Sequence, residues 1–248
     1  MSGTTVHLLR PGTVDYHAAW SWQREAAQAL RYGIGHEALA LLQHPPVYTV
    51  GRRGHKEHVL VEAAEIAARG ASLVEVDRGG HVTFHGPGQL VGYPILDLRA
   101  RDLLPGDYVR LLEATLIDAL TALGVRGERS PGRPGVWSRG HKVASLGVHV
   151  RGGVTTHGFA LNVTTDLSWF DAIIPCGLAG ARMTSMAELM PRAPAMTDVE
   201  DAVSEAFGAN FGATLAEPPD ETPGLLPAPP GFALPATGIA RRTAPVGH

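Results

Sequence analysis

The chain contains one cysteine, Cys176, set in the run Ile173-Ile174-Pro175-Cys176-Gly177-Leu178. Proline fixes the backbone just before the thiol and glycine frees it just after, a setting that suits a presented side chain. A lone cysteine forms no internal disulfide and no Cys-based zinc cluster, which leaves core filler, a surface thiol or a nucleophile. The common fate of such a residue is burial as a small hydrophobe. Nucleophilic duty requires a thiolate, and a thiolate at neutral pH requires a nearby positive charge or a helix N-terminus. Lysine is scarce here: of 21 basic residues only Lys56 and Lys142 are lysine. A chain that favours arginine keeps a lysine where chemistry needs a proton that can leave. Lys142 is a candidate to supply the charge for Cys176, although sequence alone does not bring the two together.

A second unusual stretch is Arg78-Gly79-Gly80-His81-Val82-Thr83-Phe84-His85-Gly86-Pro87-Gly88-Gln89. Its glycines let backbone N–H groups approach a ligand or adopt positive φ, as in a loop wrapped around a substrate; a pair of tight turns without a ligand is the alternative. Further on, Ser145 and Gly147 alternate onto one strand face, while Gly158, Ala160 and Asn162 alternate onto another. Small residues on facing strands leave a groove. An eight-carbon acyl chain laid there gains roughly 5 kcal/mol as an upper bound, at about 0.8 kcal/mol per buried CH₂, unless a helix fills the space instead. Of the histidines, His81 and His85 share a strand face but lie about 13 Å apart along it, too far for one metal ion without a bend. No metal is expected, and His141, His149 and His157 read as hydrogen-bonded structural groups.

These residues need elements to hold them. Helical spacing of Tyr16, Ala19, Trp20, Gln23, Ala26 and Ala27 predicts a helix over Tyr16 to Arg31. Short strands are expected at Ala38 to Leu42 and Val47 to Val50, either side of His44-Pro45-Pro46, followed by a brief helix at Val61 to Ala68. Further strands fall at Ser72 to Asp77, Val82 to Phe84 and Leu90 to Leu98, and a long helix at Tyr108 to Leu123 with Asp107 as its cap. The runs Lys142 to Val150 and Val154 to Val163, joined around Arg151-Gly152-Gly153, read as a β-hairpin. A last helix begins near Thr197, where Thr197 and Glu200 have capping-box spacing. Helices and strands mix without a βαβ rhythm, so the fold class is α+β. The final 32 residues carry eight prolines and no periodicity, which divides the chain into one domain over residues 1–216 and an irregular tail over 217–248.

At 248 residues and 44% apolar composition the chain can bury one substantial core. A formal net charge of −3 lacks the basic field of a nucleic-acid binder. No secretory leader and no run of about 18 apolar residues is found, so the expected location is the cytoplasm, with no membrane span.

The ordered motifs carry a resemblance to the lipoyl(octanoyl) transferases, the acyltransferases of lipoate biosynthesis, over about Leu8 to Phe207. They are Arg78-Gly79-Gly80 with Thr83 and His85-Gly86-Pro87-Gly88-Gln89, then Lys142-Val143-Ala144-Ser145-Leu146-Gly147, then His157-Gly158-Phe159-Ala160-Leu161-Asn162, and Pro175-Cys176-Gly177. The resemblance implies a single domain similar to biotin and lipoate protein ligases, on a mixed, mainly antiparallel sheet with flanking helices. It implies that Cys176 takes an octanoyl or lipoyl group from acyl carrier protein as a thioester, with Lys142 tuning the thiol and moving protons. It places the acyl group against Arg78 to His85, Ser145 to Gly147 and Gly158 to Ala160. The implied acceptors are lysines on lipoyl domains of 2-oxoacid dehydrogenase E2 subunits and the glycine cleavage H protein, with no cofactor. Two departures, His141 where arginine often precedes the lysine and Val163 where some members have cysteine, leave Cys176 and Lys142 untouched. Backbone N–H groups near Leu146 and Gly147 are candidate oxyanion donors. Two rivals remain: an ATP-using ligase of the same fold, which needs no thiol, and a silent module that binds acyl chains or lipoyl domains.

Overall fold

A computed structural model describes residues 4–174 and 182–218. In chain order the elements are β1 (Thr4–Thr13), α1 (Tyr16–Arg31), β2 (Ala38–Gln43), β3 (Val47–Val50), α2 (Ala63–Ala68), β4 (Ser72–Glu75), β5 (Val82–His85) and β6 (Gln89–Ile95). Then come α3 (Pro105–Ala122), β7 (Glu128–Ser130), β8 (Arg133–Ser138), β9 (His141–Arg151), β10 (Val154–Asn162), α4 (Met186–Leu189), α5 (Met196–Phe211) and β11 (Ala213–Ala216). Eight strands form one sheet in the order β11-β1-β2-β6-β10-β9-β8-β7, and β4-β3-β5 form a second. In the large sheet β1 runs parallel to both β11 and β2, and the remaining neighbours are antiparallel. This is the mixed, mainly antiparallel α+β architecture expected.

Strand alternation decides which helix covers which face. Leu39 and Leu41 of β2, Leu90 of β6 and Phe159 and Leu161 of β10 bury against Leu112, Leu116 and Leu120 of α3 and Val203 and Phe207 of α5. The intervening residues Ala38, Ala40, Leu42, Val91, Tyr93, Ile95 and Ala160 face Ala19, Trp22, Ala26 and Ala27 of α1. Because both faces are covered, β2 reads as an unbroken apolar run. The second sheet is also two-faced. Tyr48, Val50, Val82 and Phe84 enter a core with Ile66, Phe170 and Ile173, whereas Thr49 pairs with Thr83, and Val47 with His85, on the other side.

Several local expectations are corrected. In α1 Trp22, not Trp20, is the buried tryptophan, and Trp20 instead donates from Nε1 to Asp77 Oδ1 at 3.2 Å. Helix α3 starts earlier than expected, with Leu104 at the cap and Pro105 in the first turn. Asp107 lies inside that turn and pairs with Arg110. Proline at the first helical position sacrifices no hydrogen bond, which lets the helix begin there. Helix α5 has Ala195 at its cap without a side-chain bond; the Thr197–Glu200 spacing lies within the helix. The hairpin of β9 and β10 forms as expected, with Gly152 and Gly153 at φ +59° and +85°, the pair of positive φ values that a two-residue turn requires.

Candidate active site

The groove read from small residues exists as a register fact: Ser145 lies opposite Ala160 and Gly147 opposite Gly158 across β9 and β10. Nothing larger than Ala or Ser projects between them. The Thr83–His85 face of the second sheet stands over this groove, and the two surfaces enclose a cavity of about 330 Å³. Its walls include Arg78, Gly80, His81, Val82, Thr83, His85, Lys142, Ser145, Leu146, Gly147, Gly158, Phe159 and Ala160. Gly79 and Phe84 are not among them. Gly79 donates its N–H to the Val148 carbonyl at 2.9 Å, and the alternation of β5 turns Phe84 into the second core, stacked on Trp169 with centroids 5.0 Å apart. Walls that sequence reasoning did not single out are Tyr16, Arg53, Tyr93, Gly132, Pro134 and His157. Among these, Tyr16 heads the predicted helix α1 and His157 opens the His-Gly-Phe motif. The rest come from elements whose approach no local pattern signals.

Lys142 lies at one end of the cavity and is 2% exposed. Its Nζ is 5.7 Å from the Trp137 ring centroid, a cation–π approach. Gly135, at φ +128°, makes room for it: a Cβ there would meet Lys142 Cε at 2.4 Å and Nζ at 3.1 Å. The Gly135 N–H is held by the buried Glu113 carboxylate at 3.0 Å. The backbone of Lys142 pairs with the chain just beyond the cysteine segment, donating to the Arg182 carbonyl and accepting from the Thr184 N–H, both at 2.9 Å. On the other side of that segment the Ile174 N–H bonds the His58 carbonyl at 2.8 Å. Cys176 itself lies outside the described residues.

Neutral polar rings form other walls of the cavity: Tyr93 and His85 line it, with His44 packed behind them. His44 donates from Nδ1 to the Val14 carbonyl and accepts at Nε2 from the Tyr93 hydroxyl, both at 2.7 Å. Burial drives its pKa down to about 4 despite the Val14 bond, and burial keeps the Tyr93 hydroxyl protonated. His85 donates from Nδ1 to Gln89 Oε1 at 2.8 Å. Burial first, then the neighbouring His44 and Arg78, hold its pKa well below the usual histidine value. Gln89 passes the network on to Asn162 Oδ1 at 2.9 Å, and Asn162 Nδ2 to the Thr184 carbonyl at 3.0 Å. Asn162 thus serves a buried relay beside the groove. Among the described residues no group of three or more His, Cys, Asp or Glu is arranged to hold a metal ion, and no helix is long and apolar enough to cross a membrane.

Residues 15–208 match the family described as the lipoyl protein ligase A/B catalytic domain. The chain belongs to this family. Among curated relatives, a protein of Chloroflexus aggregans named octanoyltransferase is 45% identical over 211 residues, covering 84% of this chain and 94% of the relative. A Mycobacterium leprae protein of the same name is 46% identical over 219 residues, covering 86% and 91%. Solved structures share the fold at lower identity. A lipoate-protein ligase A bound with ATP superposes with a TM-score of 0.71 at 16% identity, over 86% of this chain and 88% of that one. A biotin protein ligase of Aquifex aeolicus reaches 0.51 at 13%, over 83% and 70%. The biotin/lipoate protein ligase-like architecture is thus the fold of this family member.

Two predictions follow from the ends of the cavity. Gly135→Ala must strain a left-handed backbone and push the Lys142 amine aside. We expect a stability loss of about 1–3 kcal/mol in urea denaturation, and an activity loss of at least about tenfold in the folded fraction. His44, uncharged when folded down to about pH 4, has an ordinary value of 6.5. Below pH 6.5 the unfolded chain takes up a proton that the folded chain refuses, so stability falls as pH falls. From pH 7 to pH 5 His44 alone should cost roughly 2 kcal/mol of unfolding free energy. His85 acts in the same direction. A flat denaturation profile over that interval would mean these rings are charged in the fold.

Proposed function

We propose that this family member is an acyltransferase that moves an octanoyl (or lipoyl) group from acyl carrier protein to a specific lysine of lipoyl domains, through a thioester on Cys176. The observation that carries this reading is the cavity of about 330 Å³ lined by the buried Lys142, whose own backbone pairs with Arg182–Thr184. Cys176 is six residues before Arg182, within a reach of roughly 20 Å even for a stretched chain. The names of the curated relatives support the same substrate class.

In this reading the Cys176 thiolate attacks the carbonyl of the carrier thioester. The tetrahedral oxyanion is met by backbone N–H groups near Leu146 and Gly147, and the pantetheine sulfur leaves with a proton supplied by Lys142. In the second half the acceptor amine attacks the Cys176 thioester, gives its proton to Lys142, and the cysteine sulfur leaves. Exchange of one thioester for another is nearly balanced in energy and amide formation from a thioester is downhill, so neither ATP nor a metal enters. The catalytic unit is residues 1–216, with the proline-rich 217–248 appended, working in the cytoplasm on E2 subunits and the glycine cleavage H protein.

Intact-protein mass spectrometry after mixing with octanoyl-acyl carrier protein tests the route. An octanoyl adduct on the parent that is missing from Cys176→Ala supports the thioester. Product without an adduct means direct transfer. A strict need for ATP and free fatty acid means a ligase, the chemistry of the ATP-bound structural neighbour. The role of Lys142 has its own test, because arginine keeps the charge but cannot release the proton. Lys142→Arg should lose at least about 100-fold in octanoyl transfer by steady-state assay, and an unimpaired variant would remove Lys142 from the mechanism.

A further inference from the structure

Asp77 immediately precedes the Arg78-Gly79-Gly80 loop and does not itself line the cavity. Three donors from three elements converge on its carboxylate. Oδ1 accepts from Trp20 Nε1 of α1 at 3.2 Å and from His157 Nε2 of β10 at 2.8 Å, and Oδ2 pairs with His149 Nδ1 of β9 at 2.8 Å. One side chain therefore ties a loop to the helix and to both strands of the groove.

One of the two histidines it holds at 2.8 Å is unusual. His157 lines the cavity with its side chain only 2% exposed, and it adopts φ +57°, one of three non-glycine residues in the left-handed region among those described. Such a conformation costs on the order of 1 kcal/mol and persists only where neighbours over-determine it. Here its N–H is taken by Gln23 Oε1 at 2.6 Å and its ring by Asp77. The loop beyond Asp77 approaches β9 backbone to backbone: a Cβ on Gly147 would lie 3.0 Å from the Gly79 carbonyl and 3.0 Å from Arg78 Cδ. This contact closes the groove from the side. His157 lies opposite Val148 in register, six residues along β9 from Lys142, a backbone separation of roughly 20 Å at a strand's rise per residue.

We propose that Asp77 is a positioning residue that sets the far end of the acyl cavity, holding His157 in its strained conformation and the Arg78–Gly80 loop against β9, and thereby sets the length of chain accepted. The proposal rests on the reading of the cavity as an acyl site. A residue remote from the reacting carbonyl, acting on the chain's distal end, affects binding and selection by length more than the chemical step.

The test pairs Asp77→Asn, which keeps volume and one acceptor oxygen, with Trp20→Phe, which removes one donor and keeps the ring. Steady-state kinetics with hexanoyl, octanoyl, decanoyl and dodecanoyl carrier-protein thioesters is combined with hydrogen exchange over residues 78–84. In Asp77→Asn we expect KM for the octanoyl donor to rise about tenfold with kcat within about twofold, and the octanoyl-to-dodecanoyl ratio of kcat/KM to fall at least about fivefold. Exchange over 78–84 should quicken at least about tenfold while α3 is unchanged. Trp20→Phe should move each quantity the same way by less. An unchanged length ratio with unchanged exchange overturns the proposal, as does a loss confined to kcat or spread equally over all chain lengths. If Asp77→Asn does not fold, the Trp20→Phe length ratio and exchange decide. If the parent transfers no acyl group at all, the acyl reading has failed, and the exchange rates alone judge whether Asp77 holds the loop.

Discussion

The site depends on a place where close packing is refused. Protein interiors fill space at nearly crystalline density, and the face of the large sheet beneath α1 does so wherever Ala19, Trp22 and Ala26 reach it. Between β9 and β10 the same face presents only Ser145, Gly147, Gly158 and Ala160. The second sheet does not collapse onto them because it is held off by groups that cannot shrink. Arg78 is clamped to the Thr49 carbonyl and hydroxyl at 2.7 and 2.8 Å, and Gly79 meets Val148 backbone to backbone. The cavity is what remains between a surface too small to fill it and a surface fixed too firmly to enter it.

Its walls are built on different physics. At the Lys142 end a cation is kept in a confined space by an aromatic face and by the missing side chain of Gly135. Elsewhere several polar groups are kept neutral by burial and by fixed tautomers, as in the Val14–His44–Tyr93 chain. A polar wall kept neutral loses less hydration than a charged one when water leaves the cavity.

What could be read in advance follows from how local each signal is. Helix α1 was legible to its ends because its apolar stripe is regular, and the structure adds the Asp15 cap; but the stripe could not tell Trp20 from Trp22, since the choice depends on Asp77 accepting from the former. The β9–β10 groove was legible because alternation and a Gly-Gly turn fix register without help from the rest of the chain. Strands β1 and β8 were not, because Pro11-Gly12 and Pro134-Gly135 interrupt any regular alternation; β1 takes its break as a register shift between Leu9 and Gly12, and β8 shifts against β9 between Val136 and Trp137. Of the glycine-rich segment, membership in the site was legible but direction was not: Phe84 and Gly79 belong to the core and the loop contact, a distinction set by which face of β5 the second sheet buries.

Lys142 shows how far the cause of a site residue's environment can lie from it. Its amine occupies space that any residue but glycine at position 135 would take. That glycine is fixed by a hydrogen bond from its N–H to Glu113, midway along α3, and Glu113 is in turn paired with Arg129 at 3.1 Å. A buried carboxylate is expensive unless it is paired and hydrogen-bonded, and here both of its oxygens are used, one for the strand that makes room for the lysine and one for the arginine that compensates it. The position of a single amine at the end of the cavity is therefore set by a helix on the opposite side of β8, through a residue whose contribution is the absence of a side chain.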